Sequence, residues 1–140
     1  MTDQVSLRPL TDHDLANSKV MPHGFPAVEA AKSRFPDLIA IEVEQQLAGV
    51  LSLDVDHELA LHVLSPFQGR GIGKDACRQF FEICAQRGIR QLTAKAIQGR
   101  AGHSLLMSLG ALPVSQRIDG GNNIEETFVI HVGVDSTSRP

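Results

Sequence analysis

Residues 68–74 read Gln-Gly-Arg-Gly-Ile-Gly-Lys, and this short segment carries the most distinctive chemistry in the chain. Gly69, Gly71 and Gly73 leave the backbone bare, so successive N–H groups can point into one concave space. The helical pattern that opens at Ile72 adds unpaired first-turn N–H groups and the positive end of a helix dipole. Arg70 and Lys74 bring full positive charge beside them. This set of groups suits a phosphate, most naturally a pyrophosphate. The spacing excludes two familiar loops. A dinucleotide loop needs G-x-G-x-x-G, which fails at Lys74, and an NTPase loop fails at Gln68 and again at Asp75.

Groups able to move a proton lie just upstream and further downstream. Side chains alternate along a strand, so His57, Leu59, Leu61 and Val63 are expected on one face, with Glu58, Ala60, His62 and Leu64 on the other. An imidazole near its ordinary pKa accepts a proton at neutral pH, which makes His57 a candidate base and Glu58 its fallback. The bland reading of His57 is a solvated turn residue between Asp56 and Glu58, and that of His62 is a strand histidine packed under a helix. Asp54, Asp56, His57 and Glu58 resemble a metal cluster in composition. With no second matched cluster they are read as a hairpin turn, and no metal is assigned.

The elements that must position these groups follow from periodicity. Strands are expected over residues 5–10, 38–44, 47–53, 58–64, 90–97, 114–118 and 126–132, and helices over 12–20, 27–34, 72–87 and 100–109. Asp12 or Thr11 would cap the first helix. Gln45-Gln46 would turn the hairpin between the second and third strands. Gly88 and Gly110 would stop the last two helices. The pattern alone gives a mixed α/β domain over 1–134, with 135–140 as a frayed tail.

The Gln68, Gly71 and Gly73 spacing, Q-x-x-G-x-G, resembles the acyl-CoA-binding segment of the GNAT superfamily of N-acetyltransferases. The preceding Leu61-His62-Val63-Leu64-Ser65-Pro66-Phe67 is similar to the strand ending of that family, with the proline one place late. The order of elements over nearly the whole chain matches as well. The resemblance implies a central, mostly antiparallel mixed sheet whose fourth and fifth strands run parallel and splay apart, flanked by about four helices. It implies acetyl-CoA as cosubstrate, held by Gln68, Gly69, Arg70, Gly71, Ile72, Gly73 and Lys74. The backbone N–H of Val63, freed by a bulge near Ser65-Pro66, would polarise the thioester carbonyl. His57 stands six residues before Val63, where several members of the family carry a catalytic carboxylate or histidine. Many members also place a tyrosine four residues before the glycine ending the fourth helix, to protonate the thiolate. Here that position is Leu106, and the chain contains no tyrosine. The usual asparagine opening that helix is replaced by Gly99 and Arg100. Ser104, nearest in chain to the missing hydroxyl, is the candidate substitute, with Ser108 and His103 as others.

Composition bounds the rest. A formal net charge of −3 and an isoelectric point near 6.0 give no electrostatic support to a nucleic-acid or membrane partner. The N-terminus shows no secretory signal. Cys77 and Cys84 lie seven positions apart on one helix, about 10 Å, too far for a disulfide, and the expected setting is the reducing cytoplasm. The expected reaction is acetyl transfer to a primary amine of a small molecule or peptide by direct attack, with His23, Phe25 and the last hairpin lining the acceptor; a homodimer is compatible. The alternative is a non-catalytic acetyl-CoA sensor of the same fold, which the missing tyrosine favours.

Overall fold

The computed structural model describes residues 4–11, 13, 14 and 37–133. The chain divides into two compact units, residues 1–79 and 80–140. The expected helices over 12–20 and 27–34, the acceptor-lining residues His23 and Phe25, and the tail over 135–140 lie outside the described residues, apart from the helical positions 13 and 14.

The first unit is built on a four-stranded antiparallel sheet in the order β1 (Val5–Pro9), β2 (Asp37–Val43), β3 (Gln46–Leu53) and β4 (Leu59–Val63). Val43 pairs with Gln46, so Glu44 and Gln45 form the turn, both with positive φ. The turn therefore lies one residue earlier than expected. Two consecutive left-handed residues match the right-handed twist of the flanking strands. Ala40, Val50 and Leu51, among others, are fully buried in this unit. Gly49 is the tightest point. A Cβ there would run into the carbonyl oxygen of His62, so only glycine lets β3 and β4 approach beside Val63.

The α1 helix (Ile72–Gln86) begins in the first unit and ends in the second. Ile72, Ala76, Phe80 and Cys84 recur every four residues and are buried. Its end is a Schellman motif. Gly88 has φ 83°, Gly88 N–H donates to Ala85, and Ile89 N–H reaches back to Cys84.

The second unit is a three-stranded antiparallel sheet in the order β5 (Gln91–Ile97), β7 (Ile124–His131) and β6 (Leu112–Ile118), with α2 (Ala101–Ser108) packed on β5. Phe128 and Phe80 are fully buried here, and replacing either by alanine is worth about 3–5 kcal/mol. The last two strands each begin two residues earlier than expected, and β7 ends one residue short of its expected limit. Pro113 sits inside β6 because β6 is an edge strand with an irregularity between Pro113 and Ser115, where a missing N–H costs the ladder nothing. Every ladder among the described residues is antiparallel, and two α-helices are described where about four were expected. No described helix is long and apolar enough to cross a membrane.

Thr11 proves to be the cap at the end of β1. Its Oγ1 accepts from Asp14 N–H at 3.1 Å while Asp14 Oδ2 accepts from Thr11 N–H at 2.9 Å, a reciprocal capping box. Arg8 clamps the same carboxylate through both terminal nitrogens, at 2.7 and 3.2 Å. The Arg8 guanidinium holds the buried Asp14 carboxyl well below the usual carboxylate range. A depressed folded-state pKa means that this contribution is present above the unfolded value near 3.8 and is lost as pH falls below it. Asp14→Asn should therefore lower stability at pH 7 by roughly 2–4 kcal/mol. It should also flatten the loss of stability seen in acid. Urea unfolding at pH 7 and at pH 3 measures both effects.

Candidate active site

The end of β4 is organised by what its backbone cannot pair with. Val63 lies opposite Gly49, but the bond across the ladder runs from Leu64 N–H to Ala48 O at 2.7 Å. Val63 and Gly49 are thus a non-hydrogen-bonded pair. The N–H and C=O of Val63 consequently point away from β3, toward the outer edge of the sheet. Gln68 Nε2 donates to that carbonyl at 2.8 Å, leaving the N–H directed outward. The register of β4 is unbroken, so no bulge frees this amide. Among the described residues it has no acceptor, because β4 ends the four-stranded sheet and Val63 falls on the non-bonded parity.

Past Val63 the chain makes a 3-10 turn over Ser65–Phe67, with Pro66 in its first positions. Gln68 ties this turn back to the strand, so its side chain acts as a brace. Arg70 also folds back, its guanidinium 5.3 Å from the Phe67 ring centroid. Gly69 and Gly71 hold φ of 74° and 79°, and a Cβ on either would meet nothing within 4 Å. The two glycines are required by backbone conformation, and the space above them is open. Asp75 N–H makes the first helical bond, to Gly71 O at 3.2 Å. The amides of Ile72, Gly73 and Lys74 precede it and have no intrahelical acceptor. The Ile72 side chain is in the core, so only its backbone can serve a ligand. Bare left-handed glycines, open space and first-turn amides fit a pyrophosphate.

His57 is placed differently from expectation. It lies in the turn before β4 with φ 61° and is exposed, so strand alternation stops at Leu59 and does not carry it onto the face of Val63. Asp54 Oδ1 accepts from the N–H groups of Asp56 and Glu58, both at 2.9 Å, and Asp54 N–H donates to Glu58 O. The loop over 119–123 repeats the device. Asp119 Oδ1 accepts from Gly121 and Asn123, and Asn122 takes the left-handed position with φ 66°. His57 is thus the positional equivalent of Asn122 in a five-residue hairpin loop. Burial pushes the His62 imidazole toward its neutral form.

The second unit holds a polar cluster whose central residue the sequence did not reveal. Glu126 on β7 is buried, and one carboxylate oxygen accepts a hydrogen bond from His103 Nε2 on α2. Gln116 Nε2 donates to the other at 3.1 Å. The His103 ring stands edge-on to Phe128, centroids 5.2 Å apart. The His103 bond, then Gln116 and Gln98, hold the Glu126 carboxyl below its ordinary range. An ionised carboxylate only accepts, so it fixes the proton on Nε2 and leaves Nδ1 as the exchanging nitrogen. Glu126 sits among apolar positions at period two, which reads as a polar interruption; its signal was only that inward parity. Ser104 is exposed, Ser108 Oγ donates to its own helix at Leu105 O, and Leu106 is buried.

Residues 11–104 match the model of the acetyltransferase (GNAT) family. The chain belongs to that family. Among solved structures, this GNAT chain is similar to the ribosomal-protein-S18-alanine N-acetyltransferase from Escherichia coli, at 16% identity and TM-score 0.75, covering 95% of this chain and 97% of that one. It is also similar to a Salmonella typhimurium acetyltransferase structure containing its cofactor acetyl-CoA, at 15% identity and TM-score 0.70, covering 94% and 96%. A third is a GNAT family acetyltransferase from Elizabethkingia anophelis with acetyl-CoA bound, at 12% identity and TM-score 0.70, covering 91% and 98%. At these identities the likeness is one of fold. No curated protein matches the sequence.

The turn geometry around His57 yields a direct test. Asparagine tolerates the left-handed region, so His57→Asn should unfold within about 0.5 kcal/mol of the parent. His57→Val places a β-branched residue at positive φ and should cost roughly 1–2 kcal/mol in the same urea titration.

Proposed function

We propose that this chain is an acetyl-CoA-dependent N-acetyltransferase acting on a primary amine of a small molecule or peptide by direct attack. The observation that carries the reading is the Val63 amide at the sheet edge, braced by Gln68 and followed at once by an open glycine loop. Gly69, Gly71 and the amides of Ile72, Gly73 and Lys74 hold the pyrophosphate, with Arg70 and Lys74 offsetting its charge. Acetyl-CoA supplies an activated thioester. The Val63 N–H donates to the thioester carbonyl oxygen, where negative charge develops during attack. On this reading the fourth and fifth strands run parallel and splay around the cosubstrate, as the resemblance implies.

His57, with Glu58 as fallback, removes the proton from the amine. For the departing sulfur we assign His103, held by Glu126, ahead of Ser104. The imidazole is oriented by its bond to Glu126, whereas the Ser104 hydroxyl has no such partner among the described residues. A specific observation supports a second reading, an acetyl-CoA sensor: Leu106 fills the family's tyrosine position with a buried aliphatic side chain.

Calorimetry with acetyl-CoA and a CoA-release assay over amines and peptides separate these readings. Gly71→Val should weaken acetyl-CoA binding by at least about tenfold, since it strains the loop and fills the space above it. Parent-like binding by a folded Gly71→Val protein would sink the loop assignment. Tight binding with no CoA release from any acceptor would establish the sensor.

With an acceptor in hand, His57→Asn should slow turnover by about 100-fold at unchanged acetyl-CoA affinity. An unchanged rate would return His57 to a turn role. His103→Gln should slow turnover more than Ser104→Ala does. Leu106→Tyr should partly restore the His103→Gln rate.

A further inference from the structure

Of the large apolar side chains exposed among the described residues, Val55, Met107, Leu112, Val114 and Ile118, three lie on one strand. That strand is β6, the edge of the three-stranded sheet, and each of its seven residues is exposed. Leu112, Val114 and Ile118 are 54%, 58% and 72% exposed. An edge strand is normally guarded by charge, proline or a bulge, because its unpaired backbone invites another strand. Here Pro113 and the irregularity before Ser115 guard only the first residues. From Val114 to Ile118 the single charge is Arg117, which Glu125 holds through Nε at 2.9 Å and Asp119 flanks. The rest of the edge is thus apolar at both ends, and its one cation is already neutralised.

Register decides which backbone groups face outward. Asp119 N–H donates to Asn123 O at 2.9 Å, so these two form a hydrogen-bonded pair across the hairpin. Alternation then makes Ile118 and Ile124 a non-bonded pair, and Ile124 O accordingly accepts from Gln98 N–H on its other side, at 2.9 Å. Two residues further along, Gln116 and Glu126 are a non-bonded pair as well. The N–H and C=O groups of Gln116 and Ile118 therefore point away from β7, toward the exposed edge. Counted back from Gln116, alternation places Val114 on the same side of the strand as Gln116 and Ile118.

We infer that β6 pairs antiparallel with β6 of a second copy of this chain, about a two-fold axis at Gln116. Such an axis makes one patch its own complement. Gln116 then faces the second copy's Gln116 in a hydrogen-bonded pair, Ile118 faces its Val114, and Arg117 faces its Ser115. An axis one residue on, at Arg117, would set two guanidiniums directly opposite each other, which like charges disfavour. The Gln116 register avoids that and covers the two most exposed apolar side chains of the strand with each other. A strand of seven residues is about 23 Å long. Pairing it edge to edge buries on the order of 1,000 Å² over both copies, the lower bound of a specific interface, so the dimer is weak and reversible. It stands on the second unit alone and is independent of the acyl-transfer reading.

Sedimentation velocity of the full chain across about 5–500 µM tests this, with an expected dissociation constant on the order of 10–100 µM. As the dimer forms, amide exchange should slow at Gln116 and Ile118, while Ser115 and Arg117, bonded to β7 by the same alternation, should not change. Ile118→Lys and Val114→Glu fall at exposed positions and should unfold in urea as the parent does. Each alone should weaken the dimer at least about tenfold, because a charge is set against an apolar side chain. Mixed one to one, the two variants should pair within about threefold of the parent, since the introduced charges then face each other. A parent that stays monomeric at about 500 µM would overturn self-pairing and leave the edge to a different chain. Unchanged dimerisation in both variants would put the contact elsewhere and overturn it equally. A mixture that associates no better than either variant would overturn the Gln116 register. Assemblies that grow past the dimer would replace the closed pair with open-ended strand addition.

Discussion

A strand that ends a hydrogen-bonded sheet leaves every second residue with its N–H and C=O directed outward, and the protein must do something with them. At Val63 the two groups are treated unequally. The Gln68 side chain takes the carbonyl and leaves the amide. This division depends on parity, since shifting the β3–β4 register by one residue would turn these groups inward and present those of a neighbour. Parity in turn depends on Gly49, the residue that admits the close approach of His62 and Val63. The residue that brings the strands together thus also sets which amide is offered at the edge. The glycine loop follows immediately because the same glutamine that covers the carbonyl pulls the 3-10 turn against the strand end.

The fold was legible wherever local chemistry and burial agreed. Both described helices stop at the expected glycines because a left-handed residue closes a Schellman motif in each. At the second, Ala111 N–H bonds back to Leu106 O. The limits of the last hairpin were missed because Pro113 reads as a strand breaker until β6 is known to be an edge. The turn at Glu44-Gln45 was displaced because neither residue carries the glycine or asparagine signature of two left-handed positions. The sequence shows residue types, whereas edge status and register are properties of the assembled sheet.

The site was legible to the same degree and for the same reasons. The loop over 68–74 announces itself, since glycine spacing is a local feature. His57 was assigned to a strand face by alternation, and alternation ends one residue too soon to include it. Its kinship with Asn122 emerges only when both hairpin loops are built and found to share an aspartate anchor and a left-handed fourth residue. That kinship accounts for the residue's backbone conformation without invoking chemistry, while the imidazole itself stays exposed. A backbone fixed by its turn still leaves the side chain able to serve a ligand, so the two roles are not exclusive.

Glu126 shows why a buried carboxylate repays attention. Placing an acid among Phe128, Ile130 and Ala94 carries a desolvation penalty, and an aliphatic residue would pack there without it. The penalty is offset because His103 and Gln116 converge on the two oxygens from different elements, the helix and the edge strand, with Gln98 adding to them. The three residues therefore specify one another.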